Sequence, residues 1–513
     1  MPAEDVRDAV RKEVESRRTT IHTLQEEIAR LHSVYNLAAP INSLPPELLG
    51  MAFSHLGIAS TRKADLVSAT HVCRHWRDVA LHDPALWAHV GHKHPEGVKT
   101  FLQRSKALPV DVTLVTPELP FVATAIFLTA EIHRMRSLCV SIPPSVGLRF
   151  IFQSLKSATP QLEKLSITQR RSPPNALGAP QFLSSEPPTE FDGAPTLRSL
   201  TLHNVPLPYL PKGPSVLTNL DLKESVIDSS LLLDLLERSP SLVNLRISGT
   251  FNIEGLQSQR TVALRHLETF TFEGHPLRGI GNFLLSLVLP KQTTISLSNI
   301  RVFHGDEFAH IIPAYDPLTP RFTSLQGLKR LELAWKEPDG LTMRAYRSSD
   351  FLAPVLHIKT GPYPDPLRLS ERFFVNWPID ASQLDTLVLC GDPRRHNSVT
   401  PETWAAMLAA VPLLKTLRVM SVSTATLRWL SGVLAQERAH PLCAQLETLE
   451  LFDVNPPRAE FWDVMKDVVI ARSPTAGGRL SEVELFNTGP ATWGAADALL
   501  ISNAGVRLVQ DLD

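Results

Sequence analysis

The 513-residue sequence predicts an α/β fold in which parallel strands stack along a concave side and helices along a convex side. A small three-helix module and one long N-terminal helix precede the stack. Three observations predict it. The phrase Leu-x-x-Leu-x-Leu, or a near variant, recurs ten times between Leu162 and Leu485. Amphipathic or apolar stretches that stop at proline precede several of these phrases. Two proline-started helices sit close together near the front of the chain. Single hydrophobic cores stop growing near roughly 250 to 300 residues, so a chain this long is a repeat array or several domains.

Residues 1–39 read as one helix. Val14, Ile21, Leu24, Ile28, Leu31 and Tyr35 recur at steps of mostly three, four and seven, which places them on one stripe, with Glu26, Glu27 and Arg30 between. Such a stripe needs a cover. Two or three heptads interrupted by Arg17 leave two alternatives open: a helix lying on its own protein or fraying in solvent, and a self-associating coiled coil.

Residues 40–95 follow. In "INSLPPELLGMAFSHL", Pro45 and Pro46 have φ preset near helical values and lack the N–H that a first turn leaves unpaired. A helix is predicted to start at Pro46, with Glu47 at the positive end of its dipole and Gly57 at its end. Leu48, Leu49, Ala52, Phe53 and Leu56 make its expected buried face. A second helix is predicted over Ala64–His82, with Leu66, Ala69, Val72, Cys73, Trp76 and Ala80 at helical spacing. In "DPALWAHV", Asp83 reads as an N-cap and Pro84 as the first turn, with Leu86 and Trp87 facing inward. Three short helices enclose little volume, so part of this apolar area is expected to face a partner.

These residues resemble an F-box. Leu44-Pro45, Glu47-Leu48, Phe53, Leu56, Asp65-Leu66, Val72-Cys73-Arg74, Trp76-Arg77, Ala80 and Leu86-Trp87 stand where that motif has them. Met51-Ala52 replaces the isoleucine usual before the phenylalanine. The preceding heptad helix is similar to that of many F-box-like proteins of fungi. The resemblance implies docking onto a Skp-type adaptor, and through it onto a cullin scaffold and a RING subunit. The adaptor contact is assigned first to Leu44, Pro45 and Leu49, and more broadly to Leu48, Phe53, Leu66, Val72, Cys73, Trp76, Leu86 and Trp87.

Residues 100–513 carry the repeated phrase. It begins at Leu162, Leu197, Leu217, Leu242, Leu267, Leu328, Leu384, Leu414, Leu446 and Leu480, with an eleventh variant at Met135. From Leu197 to Leu267 the steps are 20, 25 and 25 residues, and the long step from Leu328 to Leu384 has room for a degenerate unit at "APVLHI". Alternation after the leading leucine predicts a short strand with two side chains in and those between them out. "RFIFQSLKSATP", "SSLLLDLLERSP" and "TWAAMLAAVP" read as helices. Pro160, Pro195, Pro240 and Pro412 each stand two residues before the next leading leucine. Proline ends a helix and biases its predecessor toward extended backbone. Helix, proline, strand is the unit, and the region is similar to an irregular leucine-rich-repeat solenoid. The usual asparagine after the strand is mostly absent, with Asn204 a near-match. A proline- and serine-rich stretch, 169–195, reads as a loop insertion.

Composition narrows the function. Fifty-one basic and 52 acidic residues leave a net charge of −1, with no broad field to draw nucleic acid or anionic lipid. Cys73, Cys139, Cys390 and Cys443 form no CxxC and suggest a reducing compartment. The charged N-terminus predicts no signal peptide, and no apolar run of 18 residues predicts a span. His71 and His75 have one-turn spacing, but no second pair joins them, so no metal is expected. Phosphate-loop, nucleophile-elbow and HExxH motifs are absent, and no cofactor is expected.

What remains is a binding surface. Outward strand positions offer a candidate stripe for a protein ligand at His203, Lys223, Arg246, Arg330, Arg418, Glu450, Phe452 and Glu484, beside Thr201, Asp221, Glu273, Glu332 and Glu482. The expected function is a non-catalytic, substrate-recognition subunit of an SCF-type cullin-RING ubiquitin ligase in cytoplasm or nucleus. The alternative is a repeat scaffold outside ubiquitination.

Overall fold

All eleven repeated phrases become strands, and seven of the leading leucines are held the same way. In a computed structural model, the amide of Leu242 bonds to the carbonyl of Ser239 at 3.2 Å. Leu267 reaches Leu264 at 3.2 Å, Leu414 reaches Val411 at 3.2 Å, and Leu446 reaches Cys443 at 3.0 Å. These phrases thus enter their strands from a tight turn, and the first leucine is buried in all ten phrases that have one. The structure describes residues 3–58, 64–91, 94–114, 127–142, 159–170, 194–205, 215–224, 227–249, 251–252, 260–274, 280–300, 323–335, 340–348, 353–360, 379–391, 401–435, 442–454, 459–488 and 494–510. The predicted helix start near Arg149 and most of the 169–195 insertion lie outside them.

Two compact units divide the chain, Met1–Leu165 and Ser166–Asp513. The first begins with helix α1 (Ala3–Leu37), a 3-10 turn at Pro40–Ser43, and α2 (Pro46–Ile58), which runs one residue past Gly57. Helices α3 (Ala64–Ala69) and α4 (Arg74–His82) follow where one continuous helix is predicted. The break has a local cause. The amides of His71 and Val72 close turn bonds to Ser68 and Ala69, and Cys73 is fully extended at φ −155°, ψ 171°, so α4 restarts in a new phase.

A 3-10 turn at Pro84–Trp87 leads into β1 (His89–Val90), α5 (Pro95–Arg104), β2 (Val110–Leu114) and β3 (Met135–Ile142). Strands β1, β2 and β3 pair in parallel, His89 beside Asp111 and Val112 beside Leu138. The buried Arg134 caps this packing. Its guanidinium donates to Ser105 Oγ at 3.0 Å, Leu108 O at 2.7 Å, Leu102 O at 2.8 Å and Glu131 Oε2 at 2.7 Å. A buried cation is tolerated only when its donors are satisfied in this way.

Strand β4 (Lys164–Gln169) crosses the boundary between the units. The second unit continues with β5 (Ser199–His203), β6 (Asn219–Lys223), β7 (Ile227–Asp228), α6 (Ser229–Arg238), β8 (Asn244–Ser248), β9 (Phe251–Asn252), β10 (Val262–Ala263), β11 (Thr269–Glu273), α7 (Ile280–Leu285), β12 (Leu287–Val288) and β13 (Thr294–Ile300). Next come β14 (Arg330–Trp335), β15 (Leu341–Tyr346), β16 (Leu356–Thr360), β17 (Thr386–Cys390), α8 (Pro401–Ala409) and β18 (Thr416–Met420). The last elements are α9 (Thr424–Ala435), β19 (Thr448–Phe452), α10 (Ala459–Ala471), β20 (Glu482–Phe486), α11 (Ala495–Asn503) and β21 (Arg507–Gln510).

The result is a mixed α/β arrangement with a large, mostly parallel sheet. Strands β5, β6, β8, β11 and β13 pair in order, Leu200 beside Leu220 beside Leu245 beside Phe270 beside Ile295. Strands β17 to β21 also pair in order, Leu387 beside Leu417 beside Leu449 beside Val483 beside Leu508. Between these runs the order inverts. Strand β16 lies beside β13, then β15 runs antiparallel, then β14 leads to β17. The degenerate unit expected at "APVLHI" does form a strand, but it joins the sheet ahead of β14 rather than after it.

Strand exits repeat too. Asn204, Glu224, Ser421, Asp453 and Asn487 take left-handed backbone with φ between 50° and 56°, and Gly249 and Gly274 occupy the same station with φ 126° and 151°. The amide of Asp453 bonds to Phe486 O at 3.0 Å, and that of Gly249 to Glu273 O at 3.0 Å. At Gly274 a Cβ would stand 2.5 Å from Gly249 O, so side chains are excluded where these two turns stack.

Candidate functional site

The front module is built by α2, α3, α4 and the Pro84–Trp87 turn. The α2 helix starts on its proline pair, the amide of Leu49 bonding to Pro45 O at 3.1 Å. Leu49 and Phe53, one turn apart, point into the module at 0% and 2% exposure. Phe53 meets Trp76 at a ring separation of 5.1 Å. The half-buried Trp76 donates its indole N–H to Asn42 Oδ1 at 2.6 Å, and Asn42 Nδ2 donates to Asn36 O at 2.6 Å, which ties α4 to the Pro40–Ser43 turn and the end of α1.

Trp87 is the other anchor. It is fully buried, donates to Ala80 O at 2.7 Å, meets Phe101 edge-on at 4.9 Å and lies under the Arg104 guanidinium at 4.3 Å. Burial, and then the like charge of Arg77, lower the pKa of Arg104. Asp83 caps the turn as predicted, accepting from the Ala85 amide at 3.0 Å.

The opposite face of α2 is apolar as well, and uncovered. Leu48 is 49% and Met51 62% exposed, one helical turn apart, and Leu44 precedes them, also exposed. Val72, turned outward by the break between α3 and α4, is 56% exposed. Placement therefore differs from the sequence assignment. Leu49, Phe53, Leu66, Leu86 and Trp87 are interior, and Cys73 and Trp76 are half-buried. Leu44, Pro45, Leu48 and Val72 are the assigned residues with surface to offer. Met51 was missed; its spacing of three from Leu48 carried the signal. His71 lies in the turn and His75 in α4, so the one-turn pair does not form on one helix.

In the second unit, in-register pairing lines up one row of outward side chains. It runs Thr201, Asp221, Arg246, Thr271, Ser296, His357, Arg344, Glu332, Val388, Arg418, Glu450, Glu484. Seven of the eight assigned residues fall into two groups separated by the inverted strands, and Arg330 lies on one of those strands, β14. His203, Lys223 and Arg246 share one; Arg418, Glu450, Phe452 and Glu484 share the other.

Most charges are paired within the face. His203 meets Glu224 at 3.1 Å, Lys223 meets Asp221 at 2.9 Å, Arg246 meets Glu273 at 3.2 Å, and Arg418 bonds to Glu450. Arg330 is buried at 4% exposure under the Tyr346 ring, and Glu450 at 6%, so neither is the freely projecting group expected. Phe452 stacks on Phe486 at 4.8 Å. Glu484 has its pKa raised, first by burial and then by Glu450 and Glu482. Sequence reading missed Phe486, and it missed Arg344 and Tyr346, which both bond to Glu332, at 2.9 and 3.2 Å. Among the described residues no group of three or more His, Cys, Asp or Glu could hold a metal ion, and no helix is long and apolar enough to cross a membrane.

Residues 41–93 match the F-box-like family model. The chain thus carries an F-box-like domain, and its boundaries enclose α2, α3, α4 and the Trp87 turn. No curated protein matches the chain.

Proposed function

We propose that this protein is the substrate-recognition subunit of an SCF-type cullin-RING ubiquitin ligase, acting in cytoplasm or nucleus. The F-box-like domain docks on a Skp-type adaptor, which links the chain to a cullin. Residues 100–513, read as an irregular leucine-rich-repeat solenoid, hold a protein substrate on the strand face that carries Arg418, Phe452, Phe486 and Glu484. The chain makes and breaks no bond itself. It works by proximity, raising the effective concentration of a substrate lysine near the conjugating enzyme.

The observation that supports this most is the second apolar face of α2. A helix that buries Leu49 and Phe53 on one side and leaves Leu48 and Met51 bare on the other is shaped for a second neighbour. Co-expression of the full chain with a Skp-type adaptor tests it. The parent chain is expected to co-purify with the adaptor. The double variant Leu48→Asp, Met51→Asp is expected to lose it with an unchanged circular dichroism spectrum. Absence of the adaptor from the parent preparation overturns the reading.

A further inference from the structure

We propose that α1 is one strand of a parallel, two-stranded coiled coil, so that the protein is a homodimer through its first 37 residues. The helix contacts little else. Val14, Ile21, Leu24, Ile28, Leu31 and Tyr35 are each between 44% and 80% exposed, which excludes the alternative in which the stripe lies on its own chain. Three features name the cover.

The first is the choice of side chains. Written as heptads with Val14, Ile21, Ile28 and Tyr35 at position a, position d is filled by Val10, Arg17, Leu24 and Leu31. Two consecutive heptads carry isoleucine at a and leucine at d. A β-branched residue at a with leucine at d packs best when two parallel helices face each other.

The second feature is flanking charge. In a parallel pair each g residue meets the e residue of the following heptad on the partner. Glu13 at g then faces Arg18 at e, and Glu27 at g faces His32 at e. An antiparallel pair sets g against g and e against e. That places Glu13 and Glu27 on one flank and Arg11, Arg18 and His32 on the other, like against like. Complementarity therefore selects two copies of this helix in parallel.

Arg17 is the third. It breaks the seam at one d layer, and its guanidinium is drawn aside by Glu13, Nε to Oε1 at 2.9 Å. Arg17 is the one charged layer between Val10 and Tyr35, Arg7 at position a being a second nearer the N-terminus, and a charged layer inside the seam fixes register at a cost in affinity. The association is accordingly modest and reversible. Parallel pairing also brings both F-box-like domains to the same end of the coil, since each follows its own α1 directly.

Sedimentation equilibrium on the full chain tests this. The weight-average mass is expected to rise with concentration from 56.8 kDa toward twice that value. Ile21→Lys with Ile28→Lys should hold the chain at the monomer mass, because both side chains touch solvent and not the body. Arg17→Leu should tighten association at least about tenfold, as two leucines replace two arginines in one buried layer. Leu31→Cys reports direction, since residue 31 meets its own copy only in a parallel pair. Oxidation should cross-link that variant and leave the parent uncross-linked. A parent mass that stays at the monomer value, dimers that survive the double lysine variant, or failure of Leu31→Cys to cross-link would each overturn the proposal. Adaptor capture by the double lysine variant is expected to be unchanged, so loss of the dimer is distinguishable from loss of the docking function.

Discussion

Leu48 and Leu49 are neighbours in sequence with opposite duties, and truncating each in turn separates them. Leu49 is fully buried beside Phe53, so Leu49→Ala removes buried methyl groups and leaves a cavity, at a cost of about 2 to 5 kcal/mol. Leu48 has about half its surface in water. Complete burial of a leucine is worth about 1.5 to 3 kcal/mol, so Leu48→Ala costs the free protein about 1 kcal/mol. A similar amount, about fivefold in affinity, is forfeited only when the adaptor covers the other half. Hydrogen exchange of the α2 amides in the full chain reads local opening without assuming that both units unfold together. Leu49→Ala is expected to lower protection across 46–58 by about thirtyfold to several thousandfold, and Leu48→Ala by about fivefold. Equal losses, or the reverse order, would refute the assignment of the two faces.

Trp87→Ala should destabilise the front module by about 3 to 5 kcal/mol, whereas Trp76→Phe, which forfeits mainly the bond to Asn42, should cost about 1 kcal/mol; denaturant melts followed by amide exchange compare them. His357 has its pKa lowered, first by burial and then by Arg344 and Lys359, against Glu332. A base held below its usual pKa stabilises the fold above the ordinary imidazole range and loses that contribution as pH falls through it. The melting temperature should therefore decline between pH 8 and pH 5, less steeply in His357→Asn, and an identical decline would contradict this. Cys443 is buried, its thiol pushed up to about 12, and is expected to resist iodoacetamide in the native protein at neutral pH while reacting after denaturation.

Much of the strand set was legible because alternation after a leading leucine has one physical solution, two side chains in and the rest out. The order inversion at β14 to β16 was not read. "LTMRAY" and "LHIKT" alternate identically whether a strand runs up or down. The available signal was "PDG", residues 338–340, between two alternating runs, with Gly340 at φ 73°, a sequence suited to a hairpin turn. In the front module, proline placement and the Asp83 cap gave the element starts. The faces of α2 were not legible, because a helix that is apolar all round has no phase in its pattern. Leu48, Leu49, Met51 and Phe53 look alike until packing separates them. The break at residues 70–73 was hidden for a related reason: Val72 keeps helical spacing with Leu66 and Ala69 in sequence while its backbone leaves the helix.

In the function proposed above, the bare face of α2 is where a Skp-type adaptor sits. Met51 carries a natural probe there, a thioether 62% exposed and open to oxidation to the sulfoxide. Its oxidation rate in the full chain, measured by mass spectrometry with and without saturating adaptor, reports directly on that face. The expected result is strong protection of Met51 on adaptor binding, with no change at methionines of the second unit. An adaptor that binds while Met51 oxidises at its free rate, or one that does not bind at all, would contradict the account.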